Sequence, residues 1–335
     1  MSILVRSASL TLYDVVARRA GLDPARMLRE FGLPVRCLED PDIKVPVEAV
    51  RQLLEASAQR SGVEAFGLLM AEARRLSHLG PLGLLIREQP TLRLAIEALV
   101  RYGRQLNEAL FLTVEETGQV VVLREEVIAG GMGSVRQSTE LAIGVAFRTL
   151  TTFLGPDWRP RRVCFAHDAP SDRSVHTRVF GPNVEFGHDF NGIVCARRDL
   201  EAPNPNADPE LARLARRLLE VQPAGAKQAM AAQVRELVVM LLGTGTCTVE
   251  RIAQHLGVDR RTVHRHLQTE GESFSAIVER VRRELADRYV RDGHRALADI
   301  SSLLGFAAPS GFSRWYRKQF GAVASDRRRR PRKDA

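Results

Sequence analysis

The chain has few cysteines, and none is placed to staple a fold. Cys37, Cys164, Cys195 and Cys247 are scattered through 335 residues without a C-x-x-C pair, which excludes a disulfide framework or a zinc-ribbon spacing. They read as small buried apolar residues of a cytosolic chain. Long apolar runs are missing too: the best, Leu79 to Ile86, is interrupted by Gly80 and Pro81 and falls far short of the roughly 18 residues of a membrane span. The N-terminus lacks the basic-then-apolar plan of a secretory signal, so the expected location is cytoplasmic, with no membrane partner. No G-x-S-x-G elbow, P-loop or H-E-x-x-H occurs, and Gly130 to Ser134 (GGMGS) reads as a loop before a helix rather than a dinucleotide fingerprint. His167, His176 and His188 lie near one another in sequence without compact ligand spacing and read as loop and strand-edge residues. The expectation is therefore no enzyme activity, no cofactor and no metal.

What the chain does have is positive charge at one end. The net charge is +9, and residues 241–335 carry 19 Lys+Arg against 11 Asp+Glu. Such asymmetry suggests a near-neutral domain joined to one that meets a polyanion. Six of those basic residues sit in Arg327 to Lys333 (RRRRPRK), a tail expected to be disordered and to attract phosphate without specificity. Without them the segment holds only +2, so pattern rather than bulk charge has to identify the partner.

The first 220 residues pattern as α+β. Leu10, Val15 and Val16 share a helical face closed by Gly21, and Pro46 suits the first turn of a helix carrying Val50, Leu53 and Leu54. Amphipathic stretches follow near 63–74 and 91–108. Leu110–Val114 and Val120–Leu123, separated by a Glu-Glu-Thr-Gly turn, predict a hairpin. A helix from about 135 to 153 comes next, then short strands near 163–166, 184–186 and 193–196. After breaks at 204–209, a helix at 209–220 leads to Pro223-Ala224-Gly225, the expected interdomain joint.

The last hundred residues contain a repeat. Ile252-Ala-Gln-His-Leu-Gly257 recurs as Ile300-Ser-Ser-Leu-Leu-Gly305, and Val263, Arg265 and Gly271 correspond to Phe312, Arg314 and Gly321. Each copy is helix, turn, helix, the plan whose second helix enters the DNA major groove. Between them Phe274, Ile277, Val278, Val281, Leu285 and Tyr289 form one stripe on a linker helix capped by Ser273 and ended by Gly293. The expected second helices run over Arg260–Gln268 and Pro309–Phe320. Trp315 and Tyr316, at helical spacing with Phe312 and Phe320, read as core rather than stacking residues.

The stretches IAQHLGVDRRTVHRHLQTEG (252–271), RRELA (282–286) and LGFAAPSGFSRWYRKQFG (304–321) resemble the DNA-binding domain of the AraC/XylS family of bacterial transcription regulators. The N-terminal segments PRRVCFAHDAP (160–170), VFGPNVEF (179–186) and FNGIV (190–194) are similar to the arabinose-binding-like sensor domain of one branch of that family, a label that implies no sugar. The family closes with Gly, Ser/Thr-Pro and an aromatic-Arg pair, whereas here Gly321 is followed by AVASDRR. The resemblance implies an α+β sensing or dimerisation domain over 1–222, an all-α double helix-turn-helix domain over 223–326, and a basic tail over 327–335.

It further implies double-stranded promoter DNA, RNA polymerase and an unidentified small-molecule effector as partners, activation rather than repression, and compatibility with a homodimer. Arg265 and Arg314 are the expected base readers, Arg being the commonest bidentate partner of guanine; the alternative is phosphate, or a carboxylate such as Glu270. Arg260, Arg261, Thr262 and His264 lie near the start of the first recognition helix. Ser310, Gly311, Ser313, Arg317 and Lys318 are their counterparts in the second head, the last two reading as phosphate partners or a solvated face. Two alternatives stand beside this: a DNA-binding regulator whose N-terminal domain only dimerises, and an enzyme tethered to DNA.

Overall fold

The change of pattern after residue 109 is where the first part of the chain turns from helix to sheet. The computed structural model describes residues 3–127, 133–220, 229–242, 247–256, 258–292 and 295–329. The chain folds as two units, Met1–Gln222 and Pro223–Ala335.

In the first unit a short antiparallel ribbon of β1 (Leu4–Arg6) and β2 (Lys44–Pro46) brackets α1 (Tyr13–Arg19) and α2 (Pro24–Glu30). Helices α3 (Val47–Ser61), α4 (Phe66–Ala73), α5 (Pro81–Arg87) and α6 (Leu92–Tyr102) follow. The apolar run at 79–86 is therefore a core helix, with Leu82, Leu85 and Ile86 fully buried. Next come β3 (Leu110–Thr117), β4 (Val120–Val127), α7 (Arg136–Leu154), β5 (Arg162–Cys164), α8 (Ser174–Phe180), β6 (Val184–Glu185), β7 (Asn191–Ala196) and α9 (Pro209–Glu220). The sheet order is β3-β4-β7-β5-β6, antiparallel except for the β5–β6 pair.

The hairpin forms, but its turn is tighter than the sequence suggested. Thr117 pairs with Val120, so the loop is only Gly118-Gln119, with Gly118 at φ 59° where a two-residue loop needs left-handed backbone. The acidic residues read as turn are strand, because Glu115 and Glu116 continue the ladder opposite Val122 and Val121; Arg93 and Arg197 hold Glu116 at 2.5 and 3.2 Å and Arg124 holds Glu115 at 3.0 Å.

The second unit is all helical among its described residues: α10 (Met230–Leu241), α11 (Val249–His255), α12 (Arg260–Thr269), α13 (Phe274–Asp292), α14 (Leu297–Leu303), α15 (Pro309–Phe320) and α16 (Ala324–Arg329). Helix α10 was not anticipated. Its signal was a short i, i+4 pair, Val234 and Val238, both fully buried. The stripe expected on α13 packs inward through Ile277, Val278, Val281, Leu285 and Tyr289, and Ser273 caps the helix by accepting the Ala276 N–H at 3.2 Å.

The basic tail starts later than its charge suggested. Residues 327–329 belong to α16, where Ala324 is buried and Arg327 reaches Asp287 at 3.3 Å and lies over the Phe320 ring. Residues 330–335 lie outside the described residues, as do the GGMGS glycines 130–131, the joint at 223–225, and the expected helix-ending Gly257 and Gly293.

Candidate nucleic-acid interface

Each recognition helix buries one face and leaves a basic face in solvent. On α12, Val263 and Leu267 are fully buried against α11 and α10, while Arg260, Arg261, His264 and Arg265 are exposed. On α15, Phe312 and Tyr316 are fully buried, while Ser310, Ser313, Arg314 and Arg317 form an exposed i, i+3, i+4, i+7 stripe with Lys318 beside it. Gly311 is half-buried. Arg265 and Arg314 each follow a buried residue by two positions, so the sequence repeat places them on the same face of equivalent helices.

Local chemistry fixes the starts of both helices. Asp259 accepts the Thr262 backbone N–H at 2.7 Å and its hydroxyl at 3.0 Å, which holds the Asp259 carboxyl below the usual range. Thr262 is thereby committed to the cap and only half-exposed. Pro309 takes the first turn of α15, where an N–H would go unused, and Ser313 donates back to the Pro309 carbonyl at 3.0 Å.

The arginines differ in how free they are. Arg260 is paired with Glu250 at 3.0 Å. Glu270, the carboxylate weighed as an alternative partner for Arg265, instead accepts the N–H groups of Met230 and Ala231 at 2.7 Å each, pinning the start of α10. Among the described residues, no ion pair engages the side chains of Arg261, Arg265, Arg314, Arg317 or Lys318.

Sequence reasoning missed the parts that steady the second head. Arg282 donates to the Leu304 carbonyl at 2.8 Å, pairs with Glu279 at 3.0 Å and lies 4.7 Å over the Phe306 ring. Glu279 in turn accepts the Trp315 indole N–H at 2.6 Å. Trp315 also meets Phe306, Phe312 and Phe320, a packing role as expected. Gly305 turns α14 toward α15 at φ 72°, and a Cβ there would stand 2.9 Å from the Leu242 carbonyl oxygen. Gly305→Ala is expected to lower stability by about 1–3 kcal/mol, combining left-handed strain with a backbone clash, as a drop in the denaturation midpoint at unchanged slope. An unchanged midpoint would mean that α10 does not pack there.

In the first unit His167 and His188 lie in loops, as expected, and His176 departs from expectation. His176 is neither in a loop nor at a strand edge: it lies on α8 with no exposure, because Phe165 and Phe186 close over it edge-on at 5.7 and 5.2 Å. Its Nε2 and that of His167 lie 3.2 and 3.4 Å from Oε1 of Glu140, a fully buried carboxylate that also accepts from Arg136 at 3.0 Å. Five atoms of this cluster are buried without hydrogen-bond partners among the described residues: Glu140 Oε2, both His176 nitrogens, His167 Nε2 and Arg136 Nη2. Nothing in residues 136, 140, 167 and 176 announces the cluster, which only tertiary packing assembles.

Burial pushes the His167 imidazole down to about 4, against a partial upward pull from Glu140. The unfolded chain thus takes up a proton near pH 6.5 that the folded chain refuses until about pH 4. Stability present above pH 6.5 is expected to fall by about 2–3 kcal/mol as the pH drops through that window, then level off. Urea titrations between pH 7 and 4 check this, and His167→Gln should flatten the slope.

Cys37, Cys164 and Cys195 are buried as expected, while Cys247 is only half-buried. Burial raises the thiols of Cys164 and Cys195 to about 12.

The comparisons agree with both units. Residues 21–204 match the arabinose-binding domain of AraC transcription regulators, and residues 252–330 match a helix-turn-helix domain. The HTH-type transcriptional regulator VirS of Mycobacterium tuberculosis is 32% identical over 320 residues, covering 95% of this chain and 94% of that one. The ornithine utilization regulator of Pseudomonas aeruginosa is 27% identical over 319 residues, covering 94% and 92%. The transcriptional activator NphR of a Rhodococcus species is 33% identical over 90 residues, 27% of each chain.

Proposed function

This chain belongs to the AraC/XylS family of DNA-binding transcription regulators, and from that premise we propose that it reads two adjacent major-groove segments of promoter DNA under the control of a small-molecule effector. The observation that carries the two-segment reading is the pair of exposed basic faces on α12 and α15, in register through the repeat and, among the described residues, free of ion pairs at Arg265 and Arg314. Between the heads, α13 is 19 residues long, a rod of roughly 28 Å, comparable with the roughly 34 Å between successive major grooves on one face of DNA. Fluorescence anisotropy with DNA from upstream of the chain's own coding sequence tests it. The expected preference over shuffled DNA is at least about 10³-fold at physiological salt, with affinity falling steeply as salt rises. Equal affinity for both would reduce the chain to a nonspecific polyanion binder.

Effector control is supported by the cluster of Glu140, Arg136, His167 and His176. Orphaned buried polar atoms are costly, and five in one place fit a sensor core that a polar ligand completes. Activation, with contact to RNA polymerase, is what the family resemblance implies, and a relative matched over 90 residues is named an activator. A role in dimerisation is favoured by one further feature: Leu211, Leu214 and Leu218 form an exposed i, i+3, i+7 stripe on α9, suited to a second copy. Sedimentation of the full chain and its Leu214→Glu variant addresses that. No catalytic chemistry is needed in this account.

A further inference from the structure

The strand pair β5–β6 carries a second cluster, outside the buried one around Glu140. Cys164 and Glu185 are directly paired in the parallel register, and one donor atom from each, with one imidazole nitrogen of His188, all lie within 4.8 Å of one another. The backbone beneath them is tightly held. Val163 N–H donates to Asn183 O at 2.8 Å, Phe165 N–H to Glu185 O at 2.8 Å, Gly187 N–H to His167 O at 3.0 Å and His188 N–H to Phe165 O at 2.9 Å. Gly187, at φ 67°, makes the turn that brings His188 back toward the strands.

We infer that Cys164, Glu185 and His188 form a binding site for a thiophilic divalent cation, Zn2+ above all. A soft sulfur, an imidazole and a carboxylate are the donor types of zinc sites, and three protein ligands leave the fourth tetrahedral position open to water or a small ligand. The geometry is close to what the ion requires. Bonds of about 2.0–2.3 Å in a tetrahedron set donor atoms roughly 3.5 Å apart, and the His188 Nε2–Glu185 Oε2 distance is 3.8 Å. No donor pair is more than 4.8 Å apart, so closing the site shortens any separation by about 1.3 Å at most.

The surroundings orient the ligands. Arg162 holds Oε1 of Glu185 at 2.9 Å and leaves Oε2 toward His188, an outer-shell arrangement of the kind that fixes a ligating carboxylate. Phe190 meets the His188 ring edge-on at 4.6 Å, and His188 Nδ1 is buried without a partner among the described residues. Charge balances on binding: the thiol proton leaves to bulk water as sulfur takes the metal, and thiolate plus carboxylate neutralise the dication. Arg162 and Arg124 lie nearby and oppose a cation, but Arg162 is spent on Glu185 and Arg124 on Glu115 and the Phe190 face. Bound metal would staple the two-residue edge strand β6 to β5.

Cobalt substitution tests this with the full chain. After chelation and reduction, Co2+ titration is expected to give one equivalent of thiolate-to-cobalt absorption in the near ultraviolet, abolished by stoichiometric Zn2+. Cys164→Ser should remove that band, while Cys247→Ser should keep it. Because Cys164 is buried and its variant could fail to fold, Glu185→Gln and His188→Ala provide the second arm, each expected to weaken Zn2+ binding at least tenfold with circular dichroism unchanged. No sulfur-to-cobalt band in the folded wild type, or a band and affinity indifferent to Glu185→Gln and His188→Ala, would overturn the site.

Discussion

Arg265→Ala is expected to weaken binding of the full chain to its specific DNA by about 1–3 kcal/mol, five- to 150-fold, and Arg314→Ala by a similar amount. Both side chains are exposed, stand two residues beyond a buried anchor, and lack an ion pair among the described residues, so truncation removes contacts to DNA without disturbing the fold. A bidentate guanine contact also predicts loss of discrimination at one base position per variant. Arg317→Ala should act differently: as a phosphate partner, it would weaken specific and shuffled DNA alike and lower the salt slope by about 1. If the two heads engage DNA independently, the double variant loses roughly the sum, about 2–6 kcal/mol. Competition binding at one fixed salt concentration, with circular dichroism as the folding control, checks all four proteins. Wild-type affinity in both single variants would remove the two-head reader.

Phe312→Ala is expected to destabilise the second unit by about 3–5 kcal/mol, a large part of a domain's usual 5–15 kcal/mol. Phe312 is fully buried and touches Phe306, Trp315 and Tyr316, with Tyr316 continuing the seam to Phe320 at 4.4 Å. Removing its ring leaves a cavity between rigid aromatics that can collapse only in part. The chain has two tryptophans, so a Trp158→Phe background makes Trp315 the reporter of this unit during urea unfolding. A shift below about 1 kcal/mol would contradict the packing, and with it the assignment of Trp315 and Tyr316 to core instead of base stacking.

The helix-turn-helix heads were legible because their information is local. Val263 and Leu267 on α12, and Phe312 and Tyr316 on α15, stand at i, i+4 spacing, and a stripe of period 3.6 says which side faces inward before any partner is known. Opposite such a stripe the basic residues had to be exposed, and they are. Local pattern failed where long-range contacts decide. Glu115 and Glu116 look like turn residues, yet the ladder with β4 runs on through both, and Arg93 and Arg197, distant in sequence, hold Glu116 there. His176 looked like a loop residue, yet α8 delivers it to Glu140, 36 positions away, between two phenylalanines. Cys164 and His188 are brought together by a parallel strand pair whose register no sequence spacing reveals. Charge pointed at the right end of the chain for a partly wrong reason: three of the tail's arginines belong to a helix packed on α13, through Arg327 and Asp287.

The most direct test of two heads on one chain is guanine N7 methylation interference on the specific DNA fragment. Two patches of interference about one helical turn apart, roughly 10–10.5 base pairs, are expected, because Arg265 and Arg314 would each contact guanine N7 and O6 in successive major grooves. Arg265→Ala should erase one patch and Arg314→Ala the other. A single patch that both variants erase, or two patches that neither variant changes, would contradict the account.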